Sequence, residues 1–209
     1  MKKGGYMKDA VILFVITLIS GFLLGGAYQI TKVPIEKATL AANLKAYKAV
    51  FPEAADFKSD DRMKEAVDAC NSQLLSRSFG NVGVENALLA VDAGGTAVGY
   101  VITSYSDDSY GGTIKLSVGI KEDGTVNGIE FLEISDTPGL GLKAKEPAFK
   151  DQYAGKNAGS LSVTKSGNAV DAEINAISGA TVTSSAATNA VNAALYYVHN
   201  CVNEQEVGR

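Results

Sequence analysis

Residues 10–30 contain no charged side chain. At about 1.5 Å of rise per residue, a helix over this stretch extends about 30 Å, the thickness of a bilayer's hydrocarbon core. Lys8 and Asp9 flank it on one side and Lys32 on the other. The run is long for the apolar core of a cleavable signal, and Gly25-Gly26-Ala27 is only a faint cleavage motif. The run therefore predicts an uncleaved transmembrane helix over 10–30. Residues 1–9 then form a short cytoplasmic tail. Lysines stand on both sides of the span, so their count alone does not orient it. A short basic tail normally stays inside, which places residues 31–209 on the outer face.

Past the span, Pro34 suits the first turn of a new helix. Leu40, Leu44, Tyr47 and Phe51 recur at helical spacing to about Val50, and Pro52 stops the helix. A second helix is expected around Arg62–Cys70, within a helical linker region over 31–80. From residue 81 the pattern turns to strands. Leu88–Val91 and Ala97–Thr103 flank the turn Asp92-Ala93-Gly94-Gly95. Ser104–Gly112, rich in Ser, Tyr, Asp and Gly, reads as a loop. Ile114, Leu116, Val118 and Ile120 alternate with smaller or polar residues, so they form one buried face of a strand. Asp123-Gly124 turns the chain into a further strand, Val126–Ile134. A short helix follows at Phe149–Tyr153. Ser162–Thr164 and Ala169–Ala172 read as short strands about the turn Ser166-Gly167-Asn168. A closing helix from about Ser184 carries Ala187, Val191, Ala194, Val198 and Cys201 on one face. The expected fold is α+β: one transmembrane helix, then an antiparallel sheet with flanking helices in a domain over 81–202, and a tail at 203–209.

Net charge is −4 over 209 residues and no basic patch stands out, which argues against nucleic acid as a partner. Cys70 and Cys201 have no metal-ligand spacing, so no metal site is expected; they could pair if the domain faces an oxidising compartment. His199, late in the closing helix, reads as a helix-end histidine rather than a catalyst.

The densest chemical signal is the run Ile177–Ser185, which holds five hydroxyl residues and a glycine just ahead of a helix. A helix N-terminus presents unpaired N–H groups to an anion, and glycine lets the backbone come close. Ser178, Gly179, Ala180, Thr181, Thr183 and Ser184 are the candidate binding residues here. A phosphate held in this turn, or esterified to one of its hydroxyls, is the chemistry that fits.

Ser178-Gly179-Ala180-Thr181-x-Thr183-Ser184 resembles the flavinylation motif of the FMN-binding domain family, in which a threonine is joined to FMN through a phosphodiester. The resemblance makes Thr181 the acceptor and Thr183 its competitor. The family's leading Asp is Asn175 here. Asp136-Thr137-Pro138-Gly139-Leu140-Gly141 resembles the family's Glu-Thr-Pro-Gly-Leu-Gly element, which sits against the flavin ring, so Thr137, Pro138, Gly139, Leu140 and Gly141 join the candidate cofactor contacts. Phe149-Lys150-Asp151-Gln152-Tyr153 is similar to the Phe-x-x-Gln-Phe run that follows it. In order and spacing, residues 11–202 resemble the G subunits of Rnf-type ion-translocating electron transport complexes. This implies a covalent FMN and a role as an electron relay between ferredoxin and NAD in a membrane complex. It also implies other subunits and a flavin transferase as partners, and no catalytic acid or base on this chain. The equivalent subunit of a sodium-pumping NADH:quinone reductase, and a non-redox extracellular module holding a phosphate or carboxylate, are the alternatives.

Overall fold

The computed structural model describes residues 5–202; the expected tail at 203–209 and the first four residues of the expected tail at 1–9 lie outside the described residues. Helix α1 spans Gly5–Val50. The described residues fall into two separate units, divided between Ala42 and Asn43.

In the first unit the helix is long and apolar enough to cross a membrane, and its apolar window is unburied by protein. Thr17 and Thr31 do not break this character. The Thr17 hydroxyl donates to the carbonyls of Leu13 and Phe14, and the Thr31 hydroxyl to those of Ala27 and Tyr28. Each polar group is thus satisfied within its own helix, as an apolar solvent demands. Pro34 does not begin a new helix: α1 runs through it unbroken. Proline removes one backbone donor, and the remaining ladder carries the helix past that gap.

The second unit is built on a five-stranded antiparallel sheet in the order β1-β2-β3-β4-β5. The strands are β1 (Asp56–Lys58), β2 (Val82–Val91), β3 (Ala97–Ser109), β4 (Gly112–Lys121) and β5 (Val126–Ile134). Ile114, Leu116, Val118 and Ile120 are almost completely buried on one face, as their alternation predicts. The short helix expected at Phe149–Tyr153 is a single turn, α3 (Pro147–Lys150), started earlier by Pro147 at its first position. The Ala-rich helix α4 (Thr181–Tyr196) lies against the buried face of β4, together with α2 (Asp61–Leu74). On the opposite face Tyr47, Val50, Phe51 and Ala54, at and beyond the end of α1, pack with Ala90 and Val101. The amide of Asn127 donates to the Val50 carbonyl at 2.6 Å and closes the end of that helix. Covered on both faces, the centre of the sheet has the two-layered burial that a stable small domain needs.

Three expectations change here. Ser104–Gly112 is not a loop: β3 continues to Ser109 and turns through Tyr110-Gly111 directly into β4, with Ser109 paired to Gly112. Ser104 and Ser106 are fully buried, so a polar composition hides a core strand. The partner of β6 (Ser162–Thr164) is β7 (Glu173–Asn175), not Ala169–Ala172, and the pair is parallel. The intervening residues are tied down instead, the Ala169 amide donating to the Asn175 side chain and the Lys156 ammonium to the Asp171 carbonyl. Finally, α4 begins at Thr181, three residues before Ser184. Its expected stripe of Ala187, Val191, Ala194, Val198 and Cys201 is buried throughout, and most of the helix beyond its first turn is buried with it, whereas Val182 in that turn is exposed. The chain ends its described course in a π-helical turn, Tyr197–Val202, where His199 packs over Gly124.

Candidate functional site

Two tight turns build the site. In the first, the Leu140 amide donates to the Thr137 carbonyl at 3.1 Å, with Pro138 and Gly139 between them and Gly139 at φ +77°. In the second, the Ala180 amide donates to the Ile177 carbonyl at 2.9 Å, with Gly179 at φ +78°. Both have type II geometry, which requires a left-handed third residue and so favours glycine there. The turns touch: a side-chain carbon added at Gly179 would lie 3.1 Å from Leu140.

The second turn feeds straight into α4, whose N-cap, Ala180, makes no side-chain cap. Ser184 does the capping work from inside the helix. Its hydroxyl accepts from the Ile177 amide and donates to the Ala180 carbonyl, both at 2.9 Å. The Ser184 amide also donates to the Ala180 carbonyl, at 3.0 Å, and this first backbone rung places the start of the helix at Thr181 rather than at Ser184. The first backbone N–H groups of α4, from Thr181 onward, have no partner within the helix and carry its positive end. Upstream, Gln152 holds the approach to the turn: its side chain accepts from the Asn175 amide at 2.7 Å and donates to the Asn175 carbonyl. Asn175 itself uses its side-chain oxygen to accept from the Ala169 amide.

Between the two turns lies a cavity of about 450 Å³ lined by Tyr110, Asp136, Thr137, Leu140, Gly141, Gly179, Ala180, Thr181, Val182 and Thr183. Seven of the eleven residues singled out in the sequence therefore meet around one cavity. Pro138 and Gly139 shape the first turn, Ser178 lies exposed in the second, and Ser184 is buried beneath it.

The two candidate threonines differ sharply. Thr181 is half-buried and lines the cavity, whereas Thr183 is 1% exposed. The Thr183 hydroxyl donates to Asp136 Oδ2 at 2.6 Å, joined by the Ser109 hydroxyl at 3.2 Å, while the Thr137 amide donates to Oδ1 at 2.6 Å. Partial burial works against the charge on Asp136, but these three donors outweigh it and hold the carboxyl below the usual carboxylate range. Asp136 thus rivets the Thr137–Gly141 turn, the tip of β3 and the first turn of α4 together. Its place in the motif was legible, but not its role, because Thr183 is 47 residues away. Tyr110, at the β3–β4 turn, lines the cavity as well, whereas Tyr105 packs over Gly83.

Removing this rivet has an expected cost. Asp136→Ala should destabilise the domain by about 1–2 kcal/mol, a melting decrease of roughly 2–6 °C. Because the carboxyl's pKa is depressed on folding, its contribution is present above about pH 4, the ordinary aspartate value. It disappears as pH falls through the lower folded value. Thermal melts of wild type and variant at pH 7 and pH 3 check both points: the gap between them should narrow at the acid end.

The profile of the FMN-binding domain family matches residues 109–196, a span that takes in every residue lining the cavity. The G subunit of the Na+-translocating ferredoxin:NAD+ oxidoreductase complex from Acetobacterium woodii is 34% identical, covering 92% of this chain and 91% of that protein. The G subunit of the ion-translocating oxidoreductase complex of Methanosarcina acetivorans is 32% identical over 91% of this chain and 93% of its own. Among solved structures, NqrC of Shewanella oneidensis aligns with 58% of this chain and 60% of its own, at 20% identity and a TM-score of 0.49. Matched over nine-tenths of its length by such relatives, the chain belongs to the family of G subunits of ion-translocating oxidoreductase complexes and carries that family's FMN-binding domain.

Proposed function

We propose that the chain carries FMN covalently on Thr181, through a phosphodiester, and relays electrons within a membrane complex that couples ferredoxin:NAD oxidoreduction to ion translocation. The observation that carries the reading is the contrast between the two threonines: Thr181 opens the helix and lines the cavity, while Thr183 is buried and committed to Asp136. The relatives named as ferredoxin:NAD+ oxidoreductase subunits from Acetobacterium woodii and Clostridium ljungdahlii favour this redox couple over a quinone.

The residues present fit the group. A cavity of this volume falls in the range of small-molecule sites. The N-terminus of α4 suits a phosphate, and Leu140 and Tyr110 offer apolar and aromatic surface for a ring. Attachment requires a flavin transferase and a flavin diphosphate donor. The Thr181 Oγ would bond to the flavin-side phosphorus, and the P–O bond from that phosphorus to the second phosphate would break. The second phosphate would leave with its substituent as a phosphate monoester, and the hydroxyl proton would go to solvent. The bound flavin supplies the electron transfer, and the protein supplies position and electrostatics. Thr181 would hold the phosphate end, and the Asp136-riveted turn sets Leu140 in the cavity wall, where it would meet the ring. The apolar helix anchors the domain beside the other subunits, with its short N-terminal tail cytoplasmic and the flavin domain on the outer face.

The test is the intact mass of the full chain after co-expression with a flavin transferase. A gain equal to FMN minus water, with yellow colour retained on denaturation, is the expected result. An unmodified, colourless chain would instead support a module that binds an anion without redox chemistry.

A further inference from the structure

The chain has only two cysteines, and folding brings them together across about 130 residues of sequence. Cys70, on α2, is fully buried, and Cys201, in the final π-helical turn, is 6% exposed. Both lie in the core cluster beneath the sheet. Their side chains are hydrogen-bonded to one another. Hydrogen-bonded thiols lie within about 4 Å of one another, and this core contains no other sulfhydryl to compete for either partner.

We propose that Cys70 and Cys201 form a disulfide in the mature protein, fastening α2 to the end of the C-terminal helix. The proposal rests on the placement of the domain on the outer face. The step joins the two sulfur atoms and removes two protons and two electrons. The disulfide of an extracytoplasmic thiol oxidoreductase accepts them and becomes a dithiol. The reaction belongs to folding: once the domain has closed, the hydrogen bond with Cys201 and burial push the Cys70 thiol up, away from the reactive thiolate. The same burial then shields the finished bond from reductants. A cross-link closing so long a loop restricts the unfolded chain strongly. It joins two elements on the side of the sheet where α4 lies, and so braces the helix whose first residue is Thr181.

The experiment takes the full chain in detergent from membranes of cells that also make the flavin transferase. It is unfolded, alkylated with or without prior reduction, and weighed intact. The expected spectrum shows no alkyl group before reduction and two after it. Melting in the presence of a reductant, which reaches the bond as the domain opens, should lower the midpoint by about 10 °C, and the Cys70→Ser/Cys201→Ser variant should show no such response. Protease digestion of intact spheroplasts, run in parallel, reports the side of the membrane. Two alkyl groups without reduction, in a domain digested from outside, would overturn the disulfide and leave the topology standing. Two alkyl groups in a domain cut only after lysis would overturn both. The flavin mass is read in the same spectrum and is independent of either result.

Discussion

Thr181→Ala is expected to abolish the covalent flavin entirely while leaving the fold intact. The residue is half-buried at the first position of α4, and among the described residues no hydrogen bond of its side chain holds another element in place. Substitutions at such positions usually change stability by less than about 0.5 kcal/mol. Loss of flavin without loss of structure would therefore locate the chemistry. Thr181→Ser keeps a hydroxyl at the same atom and should still gain the FMN mass. Thr183→Val should also gain it, at reduced occupancy, because removing the bond to Asp136 loosens the turn without removing the acceptor. The deciding observation is intact mass on the three variants. Mass gain in Thr181→Ala together with its loss in Thr183→Val would transfer the acceptor to Thr183.

What could be read from the sequence follows the distance over which each feature is decided. The apolar helix, the alternating face of β4 and the Asp123-Gly124 turn depend on neighbours a few residues apart, and all three are where the residues put them. Ser104–Gly112 misleads because Ser, Tyr, Asp and Gly are turn formers, yet ladder pairing with β2 and β4 holds most of them in β3. The tertiary context overrides the local preference. The parallel pairing of β6 with β7 has no local signature at all. Around the cavity, the glycines and the proline announced both turns, and the hydroxyl run announced a helix start. The division of labour among the hydroxyls was invisible: Ser184 caps from below, Thr183 binds Asp136, and Thr181 is left facing the cavity. Each assignment depends on which way α4 is rolled, and that roll is set by alanines packed against β3 and β4.

Asn192 shows how the roll is fixed, and its loss is the largest effect expected on stability. It is a polar residue, 2% exposed, one helical turn beyond the buried Thr188 and two beyond the buried Ser184, with alanine and valine on either side in sequence. Its side-chain oxygen accepts from the Leu161 amide at 2.7 Å, and its amide donates to the Leu161 carbonyl at 2.9 Å. It thus acts as an added rung, pairing both backbone groups of the residue just before β6. Asn192→Ala leaves an N–H and a C=O buried with no partner, each costing about 1–3 kcal/mol. The sum, about 2–6 kcal/mol, corresponds to a melting decrease of roughly 4–24 °C for a domain of this size. Asn192→Leu fills the volume but orphans the same two groups, so it should be no better. A hydrophobic helix buried for packing alone would predict the opposite order, with leucine rescuing alanine. Urea melts of the three proteins separate the two accounts. Since β6 pairs with β7, and β7 leads directly into the Ile177–Ala180 turn, both substitutions should also lower flavin occupancy, although Asn192 does not line the cavity.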